Sequence, residues 1–522
     1  MKKLLLLCLV LVALNITSCR KERENIIAQV AEDTTIAVGT HFAQEEIIGQ
    51  SIVLNPTGYA PLTAMITIKT EISTKVQLRI LGKNGFRSDI IKTFPDVGTT
   101  HDIPVFGLYA GHNNIVHLTL YDEKGGALGT SGVYIKTAPL HPDLPIVRVD
   151  VPYKGFGKEM HIASYYGHSG QSTPQEVFIF DNFGDIRWYL DFNNHSVLNK
   201  LHYQDGVEML KNGNLYFGDE STHAIYEVDF FGEVINSWPM PGYSFHHHVL
   251  ELPNGNFLVT VTKNNISTIN DFIIEIDRNS KQIVTTWDLR ESLQPDRDAW
   301  ISGARNWIHV NAVEYDRADD CIIISGRNQG VAKLTRDNKV KWILSTHNGW
   351  DKAGDGTDMK AKLLHPLTKS GTTITDTNAL YGHINHPDFE WNWYQHAPKL
   401  LPNGNLMLFD NGDNRNFTGD LKYSRAVEFK INESAKTVQQ VWQYGKERGQ
   451  ETFSDIVSDV DYYAETNTVV FTPGSVTWPS NRGKMVEVSR SSGNVVFEVT
   501  VLPPTDLSRV TMHRTDKINL YQ

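Results

Sequence analysis

Cysteine is scarce in this sequence, and long apolar runs are almost absent. The 522 residues contain three cysteines, Cys8, Cys19 and Cys321. The first two lie close to the N-terminus, so the rest of the chain holds a single thiol and cannot form an internal disulfide. Cys321 opens the apolar run Cys321–Ile324, which is typical of a buried thiol and not of a reactive one. No apolar run beyond the N-terminus approaches the about 18 residues of a membrane-spanning helix.

Basic residues are also fewer than acidic residues. Lys and Arg number 49 against 60 Asp and Glu, which gives a net charge of −11. This balance argues against a nucleic-acid partner. Hydrophobic residues make up 40% and aromatic residues 10% of the chain. A composition of this kind is typical of a globular protein with an aromatic-rich core.

The N-terminus predicts an export signal in residues 1–18. Lys2 and Lys3 precede the apolar run Leu4–Leu14, and Ile16–Cys19 fits a bacterial lipoprotein box. The apolar run is too short for a membrane anchor, although an ordinary signal with an incidental cysteine is the alternative. We predict lipidation of Cys19 and a charged tether over residues 19–33. The protein would then be exported and held by its lipid alone, in the periplasm or on the cell surface (outer membrane) of a Gram-negative bacterium.

Residues 34–143 predict a small β-sandwich. Short runs of alternating apolar and polar residues lie at Ala64–Thr70, Val76–Leu81 and Ile115–Leu120, and Gly, Pro and Asn punctuate this part of the chain. This pattern is typical of a sandwich of immunoglobulin-like size. Three prolines in Ala138–Pro145 place the domain boundary near residue 143.

Residues 144–522 repeat a unit of about 50 residues. Six segments contain a turn followed by a strand that ends in an aromatic residue: Asp181–Trp188, Asp229–Trp238, Asp277–Trp287, Arg336–Trp342, Ile431–Trp442 and Arg490–Phe497. Between them lie further hairpins, three of which have Asn-Gly turns: Leu210–Leu215, Leu252–Phe257 and Leu401–Leu406. Asn-Gly between apolar runs is a strong hairpin signal because both central residues need positive φ.

Two hairpins per repeat give four strands, and six such repeats predict an all-β, six-bladed β-propeller. A long sandwich or a β-helix gives no reason for the two-hairpin unit. One gap of 100 residues contains an insertion, roughly 349–390, which we expect to cover one face of the disc. The C-terminal segment Asp516–Tyr521 is expected to complete the first or the last blade.

Three repeats carry a histidine at the same position. His247 lies seven residues before Asn254, and His396 lies seven residues before Asn403. His309 opens the equivalent strand of a third repeat, which has a longer turn. Equivalent positions of a propeller surround the central axis at one height, so we predict that these three imidazoles converge.

Arg327 is predicted to join them. It follows the strand that runs back from the hairpin opened by His309, and Asn311 lies near the same end. Arginine binds oxyanions through its fork of donors, and imidazole can act as a nucleophile or exchange protons near pH 7. Three histidines with one arginine therefore suit the transfer of an anionic group, sulfuryl or phosphoryl, through a covalent histidine. Three imidazoles can also bind Zn²⁺, but a guanidinium beside a dication is unfavourable, so we predict neither a metal nor another cofactor.

The motifs around these residues resemble the bacterial arylsulfate sulfotransferase family. The resemblance runs over most of the chain and rests on five segments: Asn55–Thr63, Asn306–Asn311, Ile324–Gln329, Gln395–Ala397 and Leu408–Gly412. It implies a six-bladed propeller that moves a sulfuryl group from a phenolic sulfate donor to a phenolic acceptor by a ping-pong mechanism. It also implies that no nucleotide sulfate donor is needed.

The resemblance also implies roles for individual residues. His396 corresponds to the histidine that becomes sulfated, while His309 and Arg327 bind the sulfuryl oxygens and the leaving phenol. Asn311 matches an asparagine near the sulfuryl group. The fourth catalytic position corresponds best to His247, although His246 is close enough to confuse the assignment.

Two departures from the family pattern matter. His248 stands where the family would have Asp, which blurs the alignment of its neighbours. A disulfide of some members cannot form in this chain.

Two rival functions remain open. One is a metal-dependent hydrolase or lyase on the same propeller, and the other is a non-catalytic lipoprotein that binds glycans at the cell surface. A homodimer is also left open, because a sandwich beside a propeller could reach over a neighbour's pocket.

Overall fold

A computed structural model describes residues 52–155, 158–166, 175–204, 206–297, 303–504 and 510–521. The predicted signal (1–18), the tether (19–33) with Cys19, and residues 34–51 of the predicted sandwich lie outside the described residues. Within the described ranges, no helix has the length and apolarity needed to cross a membrane.

The N-terminal domain is a β-structure built around one long strand. Its strands are β1 (Ile52–Leu54), β2 (Thr63–Ile80), β3 (Ile90–Thr93), β4 (Gly98–Phe106), β5 (Asn113–Tyr121) and β6 (Ala127–Lys136). The alternating runs at 64–70 and 76–81 lie almost entirely on the single strand β2, with a register shift between Lys69 and Thr74. No Gly, Pro or Asn separates the two runs, so the strand bends through an irregularity instead of turning. Its first part pairs with β4 and its second part with β5.

The rest of the described chain is also mostly β-structure. Its strands are β7 (Ile146–Val151), β8 (Met160–Tyr166), β9 (Glu176–Phe180), β10 (Ile186–Tyr189), β11 (Glu208–Met209), β12 (Leu215–Asp219), β13 (Ala224–Val228), β14 (Val234–Pro239), β15 (Tyr243–Glu251), β16 (Phe257–Lys263), β17 (Phe272–Ile276), β18 (Ile283–Asp288), β19 (Val310–Asp316), β20 (Cys321–Gly326), β21 (Gly330–Leu334), β22 (Val340–Leu344), β23 (His365–Leu367), β24 (His396–Leu400), β25 (Leu406–Asp410), β26 (Arg425–Asn432), β27 (Thr437–Tyr444), β28 (Asp459–Tyr463), β29 (Thr468–Thr472), β30 (Gly483–Ser489), β31 (Val495–Leu502) and β32 (Thr511–Ile518). The short helices are α1 (Leu289–Ser292), α2 (Thr377–Leu380) and 3-10 turns at Gly85–Ser88, Ala304–Asn306, Lys360–Lys362, Arg415–Phe417 and Lys446–Thr452.

These strands form six sheets of four or five strands, which resemble propeller blades. The first has the order β10-β9-β8-β32 and the last the order β28-β29-β30-β31-β7. The C-terminal strand β32 therefore belongs to the first sheet, which is one of the two predicted positions, while β7 joins the last sheet. The two ends of this part of the chain are thus each paired with the opposite end.

The tryptophan that ends five of the six sequence repeats contacts the next sheet. Five indole N–H groups donate to a turn of the following sheet: Trp188 to Phe230 O (2.8 Å), Trp238 to Arg278 O (2.8 Å), Trp287 to Thr335 O (2.9 Å), Trp342 to Glu433 Oε1 (3.0 Å) and Trp442 to Arg490 O (2.9 Å). The sixth repeat ends in Phe497, whose ring instead stacks on His161 with centroids 5.1 Å apart. The aromatic residue at the end of each sequence repeat therefore makes a packing contact between neighbouring sheets.

The insertion at 349–390 is folded and adds a strand to one sheet. Its strand β23 pairs in parallel with β27. The indole of Trp391 donates to Ala379 O at the end of helix α2 (2.9 Å). The insertion therefore packs against the residues that lead into His396, at the start of β24.

Candidate active site

The three predicted histidines lie in or directly before an edge strand of three successive sheets. His247 lies in β15, His309 directly precedes β19, and His396 opens β24. These strands contact one another in sequence, β15 with β19 and β19 with β24. Equivalent repeat positions therefore come together, as the spacing predicts.

Irregular backbone turns these side chains out of the normal strand alternation. His247 has φ +60°, His309 has φ +50°, and Ala397, directly after His396, has φ +48°. The register of β15 against β16 shifts between Phe245 and Val249. Left-handed backbone costs a residue other than glycine roughly 1–2 kcal/mol, so strain is concentrated where the three imidazoles meet.

The three imidazoles surround one space. Nε2 of His247 lies 3.1 Å from Nε2 of His309. The ring centroids of His247 and His396 are 6.4 Å apart and nearly perpendicular. The three rings therefore lie in one contiguous cluster.

Two further histidines, His246 and His513, belong to the cluster. The sequence indicated His246 only as an alternative to His247 and did not indicate His513. The ring of His246 lies 4.1 Å from that of His247 and 4.9 Å from that of His309. His513, on β32, lies 6.3 Å from His247. The sequence could not reveal the bulge that brings consecutive histidines to one side. The hairpin spacing that located the other three histidines has no counterpart around β32.

His248 faces away from the cluster. Its Nδ1 accepts from the Val313 N–H (3.1 Å), and its Nε2 lies 3.4 Å from Oε1 of Glu208. The residue that blurred the family alignment thus ties β15 to its neighbours and takes no part in the site.

An asparagine fixes the proton on His396. Nδ1 of His396 lies 2.8 Å from Oδ1 of Asn411. The amide Nδ2 of Asn411 donates to Ser454 O and Val457 O, both at 2.9 Å, so its oxygen must face the imidazole. The Nδ1 of His396 therefore carries the hydrogen, and its lone pair is on Nε2.

A second asparagine fixes the opposite tautomer on His309. Nδ2 of Asn306 lies 2.7 Å from Nδ1 of His309, and Oδ1 of Asn306 accepts from Asn270 (3.1 Å). The amide therefore donates to Nδ1, and the hydrogen of His309 lies on Nε2, which faces His247. The site thus contains one imidazole with a lone pair on Nε2 and another with an N–H there.

Arg327 lies beside His309, as the hairpin geometry predicts. Its backbone N–H donates to His309 O (3.0 Å), and its guanidinium lies 4.9 Å from the centre of the Tyr394 ring. Its Nη2 lies 3.8 Å from Oδ2 of Asp413 and donates to Asp455 O (3.4 Å). A guanidinium has five N–H donors and can also bind an anionic ligand through them.

Asn311 holds the chain just before His396. Its Nδ2 donates to Gln395 O (2.8 Å). Its Oδ1 is buried and finds no hydrogen-bond partner within the described residues. The structure thus gives Asn311 a contact that positions His396, while its role toward a substrate stays a prediction.

Burial keeps the paired imidazoles neutral. It lowers the pKa of His247 well below 6.5, and the nearby His246 and His309 lower it further. It lowers the pKa of His309 in the same way, with added effects from His246 and the Arg327 charge. Burial lowers the pKa of His513 to about 3. The pair can therefore accept a proton near pH 7 but does not carry a stable charge there.

The same imidazoles have the geometry of a candidate metal site. Ligand atoms of His246, His247 and His309 lie within 4.8 Å of one another. The positive charge of Arg327, which already lowers the pKa of His309, opposes a dication at this position.

Cys321 is buried and takes no part in the site. Burial raises the pKa of its thiol to about 11, in agreement with the sequence-based prediction of an inert thiol.

Two family descriptions match the chain. "Arylsulfotransferase (ASST)" matches residues 149–507, and "Arylsulfotransferase Ig-like domain" matches residues 51–138.

Two curated proteins resemble the chain over most of its length. Arylsulfate sulfotransferase AssT of Escherichia coli O6:H1 strain CFT073 is 30% identical over 551 residues, which cover 87% of this chain and 90% of that protein. The protein of the same name from Lelliottia amnigena is 30% identical over 563 residues, which cover 90% and 92%. Among solved structures, a Bacteroides caccae protein of unknown function aligns with a TM-score of 0.39 at 10% identity, over 69% of this chain and 99% of that one. That likeness is too weak to carry an argument.

The two family matches together span most of the chain, and the larger one contains His246, His247, His309, Arg327 and His396. The chain therefore belongs to the arylsulfotransferase (ASST) family of enzymes.

Proposed function

We propose that this protein transfers a sulfuryl group from a phenolic sulfate ester to a phenolic acceptor, through a sulfated His396. One observation supports this most strongly. The hydrogen bonds of Asn411 and Asn306 fix opposite tautomers on His396 and His309. A nucleophilic nitrogen on His396 and an N–H donor on His309 are thus present in one cluster, near the Arg327 guanidinium.

In the first half-reaction, Nε2 of His396 attacks sulfur and the bond between sulfur and the aryl oxygen breaks. The aryl oxygen keeps the electron pair and accepts a hydrogen bond from Nε2–H of His309. A phenol pKa of about 10 makes this a tolerable leaving group. Arg327 stabilises the sulfuryl oxygens, and Oδ1 of Asn411 stabilises the positive charge that develops on the His396 ring.

In the second half-reaction, an acceptor phenol occupies the position that the first phenol has left. A neutral imidazole of the His247–His309 pair accepts its proton as the phenol oxygen attacks sulfur. The nitrogen–sulfur bond breaks and His396 returns to its starting state. The protonated imidazole then releases its proton to the solvent, which balances the proton that the departed phenolate takes up. Because donor and acceptor use one site in turn, we expect ping-pong kinetics, with no nucleotide sulfate donor and no cofactor. Alkyl sulfates should be poor donors because an alkoxide leaves far less readily.

We further propose that the six sheets close into a six-bladed propeller, with the histidines around its axis, and that Cys19 carries a lipid. The contacts of β28 with β32 support the ring closure, and the sequence of residues 1–19 supports the anchor. The enzyme would then act outside the cytoplasm, in the periplasm or at the cell surface.

A metal-dependent hydrolase or lyase remains the second candidate, since His246, His247 and His309 could hold an ion. Extensive chelation followed by metal analysis separates the two. Sulfuryl transfer should survive complete metal removal, whereas a metal enzyme should lose activity and recover it when the ion is restored.

Steady-state kinetics of His396→Ala test the proposal. We expect transfer from an aryl sulfate to phenol to fall to the background rate, while the control variant His365→Ala, at an exposed position, keeps it. An active His396→Ala enzyme would refute the assignment.

A further inference from the structure

A small polar cavity adjoins the candidate active site. It has a volume of about 30 Å³, and its lining includes Arg327, Tyr394 and Gln395, which also border the histidine cluster. Since about 10–15 Å³ measured in this way holds one water, the cavity has room for about two oxygen-sized groups. It is too small for a whole benzene ring.

Among the lining residues, Asn328, Asn392 and Trp393 each carry a buried polar atom that lacks a partner among the described residues. Within the described chain, Oδ1 of Asn328, Oδ1 of Asn392 and Nε1 of Trp393 make no hydrogen bond. Each of these residues is at most 7% exposed. Burying polar atoms without a partner is costly, so this cluster needs a ligand that can both donate and accept.

The orientation of both amides is already fixed. Nδ2 of Asn328 donates to Asn306 O (2.8 Å), and Nδ2 of Asn392 donates to Oε1 of Gln395 (2.7 Å). In the described part of the protein, the Oδ1 atoms of Asn328 and Asn392 therefore lack a hydrogen-bond donor, and the indole N–H of Trp393 lacks an acceptor.

A hydroxyl group can serve one of the two amide oxygens and the indole N–H together, whereas an ionised carboxylate can serve only the indole N–H. A hydroxyl can donate to an amide oxygen and accept from an indole N–H, while an ionised carboxylate only accepts. The guanidinium of Arg297, also in the lining, is committed to Oε1 of Gln329 (2.5 Å) and Asn348 O (3.1 Å). The edge-to-face rings of Trp393 and Phe417, 4.9 Å apart, give the cavity an apolar wall suited to the edge of an aryl ring.

We propose that this cavity is a distal subsite for a second hydroxyl group on the aryl substrate. The proposal rests on the sulfuryl transfer proposed above, and it adds a substrate preference. One phenolic oxygen reacts at His396 while the other accepts from Trp393 and donates to Asn328 or Asn392, and the cavity has room for a water at the other amide oxygen. Dihydric phenols should therefore be better acceptors than their mono-O-methyl ethers, because a methoxy group cannot donate and is too bulky.

The test compares matched acceptors with one aryl sulfate donor. Each diol is compared with its own mono-O-methyl ether, and the diols are hydroquinone, resorcinol, catechol and 4,4′-dihydroxybiphenyl. Because a diol with two equivalent hydroxyls can react at either one, its kcat/KM is divided by two before the comparison. At least one pair should favour the diol by about 3- to 10-fold, the usual value of one hydrogen bond. Ratios near one for every pair would overturn the proposal and assign the cavity to water alone.

Variants locate the preference. Trp393→Phe removes the indole N–H and should bring the ratio close to one, while Trp393→His keeps a ring N–H and should restore part of it. The control is Trp391→Phe, whose indole N–H is already used by Ala379 O, and its ratio should equal that of the wild type. Equal changes in the ratio for Trp391→Phe and Trp393→Phe would contradict the subsite. Failure of the wild type to sulfate phenol itself would instead refute the underlying sulfuryl transfer.

Discussion

Asparagines decide what the imidazoles of this site can do. The sequence located His247, His309, His396 and Arg327 because the repeats place them at equivalent points. It could not assign their protons, since the partners Asn306 and Asn411 are recognisable only once the loops are folded. It kept His246 only as an alternative to His247, because a bulge and not the regular strand alternation carries that ring into the cluster.

Removing the Asn411 amide should slow sulfation of His396. Asn411→Ala deletes the acceptor for Nδ1–H, which bears positive charge once Nε2 is sulfated. A hydrogen bond to a charged group is worth about 1.5–3 kcal/mol, so single-turnover formation of the adduct should slow by about 10- to 100-fold.

The control is Asn405→Ala, in a hairpin turn where Nδ2 donates to Oε1 of Glu428 (2.6 Å). It should leave the rate of adduct formation unchanged. An unaltered rate in Asn411→Ala would show that the amide does not support the nucleophile.

The pH profile should report the depressed pKa of the histidine pair. The neutral imidazoles of His247 and His309 are the active forms, and burial holds both pKa values well below 6.5. Activity should therefore be lost only as the pH falls through these lowered values. We expect kcat/KM to stay level from pH 8 to below 6.5, and a half-maximal point at 6.5 would contradict the neutral pair.

At the scale of elements, the repeat pattern predicted more than the boundaries of strands. The Trp-ended segments, the hairpins and the return of the C-terminal strand all have counterparts in the sheets. The sequence erred where no turn residue marked a change. The runs at 64–70 and 76–81 lie on one strand, β2, and no sequence pattern predicted the strand β23 that the insertion adds to a sheet.

Each indole bond between sheets should make a measurable contribution to stability. Trp287→Phe keeps most of the buried ring but removes the N–H that donates to Thr335 O. Leaving that carbonyl unpaired should lower the free energy of unfolding by about 1–3 kcal/mol. Chemical denaturation measures this, with the exposed Trp478→Phe as a control that should stay within about 0.5 kcal/mol of the wild type. Equal stability of Trp287→Phe and the wild type would contradict a structural role for these bonds.

At the scale of the whole molecule, the ends of the chain hold the parts together. The hydroxyl of Tyr521 accepts from Phe106 N (2.6 Å) in the N-terminal domain. Arg187, fully buried in the first sheet, reaches Gly107 O (2.9 Å) and stacks on Tyr109 at 3.6 Å. Contacts between residues so distant in sequence cannot be predicted from periodicity, although the sequence did indicate both domains.

Acid should weaken the packing between the first and last sheets. His161, on β8, stacks between Phe180 and Phe497, and burial lowers its pKa to about 4. Below pH 6.5, His161 therefore binds a proton in the unfolded chain but not in the folded protein. The free energy of unfolding consequently falls as the pH drops from 6.5 toward 4. The loss should be on the order of 3 kcal/mol.

His161→Phe should reduce the slope of unfolding free energy against pH over this range. The control His365→Phe, at an exposed position, should keep the wild-type slope. Parallel slopes for wild type and His161→Phe would show that this histidine is not responsible.

The covalent intermediate is the most direct test of the mechanism. The enzyme is incubated with an aryl sulfate and no acceptor, digested under conditions that preserve nitrogen–sulfur bonds, and analysed by peptide mass spectrometry. We predict one added SO₃ on the peptide that contains His396, its loss when phenol is added, and its absence in His396→Ala. Active transfer with no adduct, or an adduct on a different residue, would contradict the account.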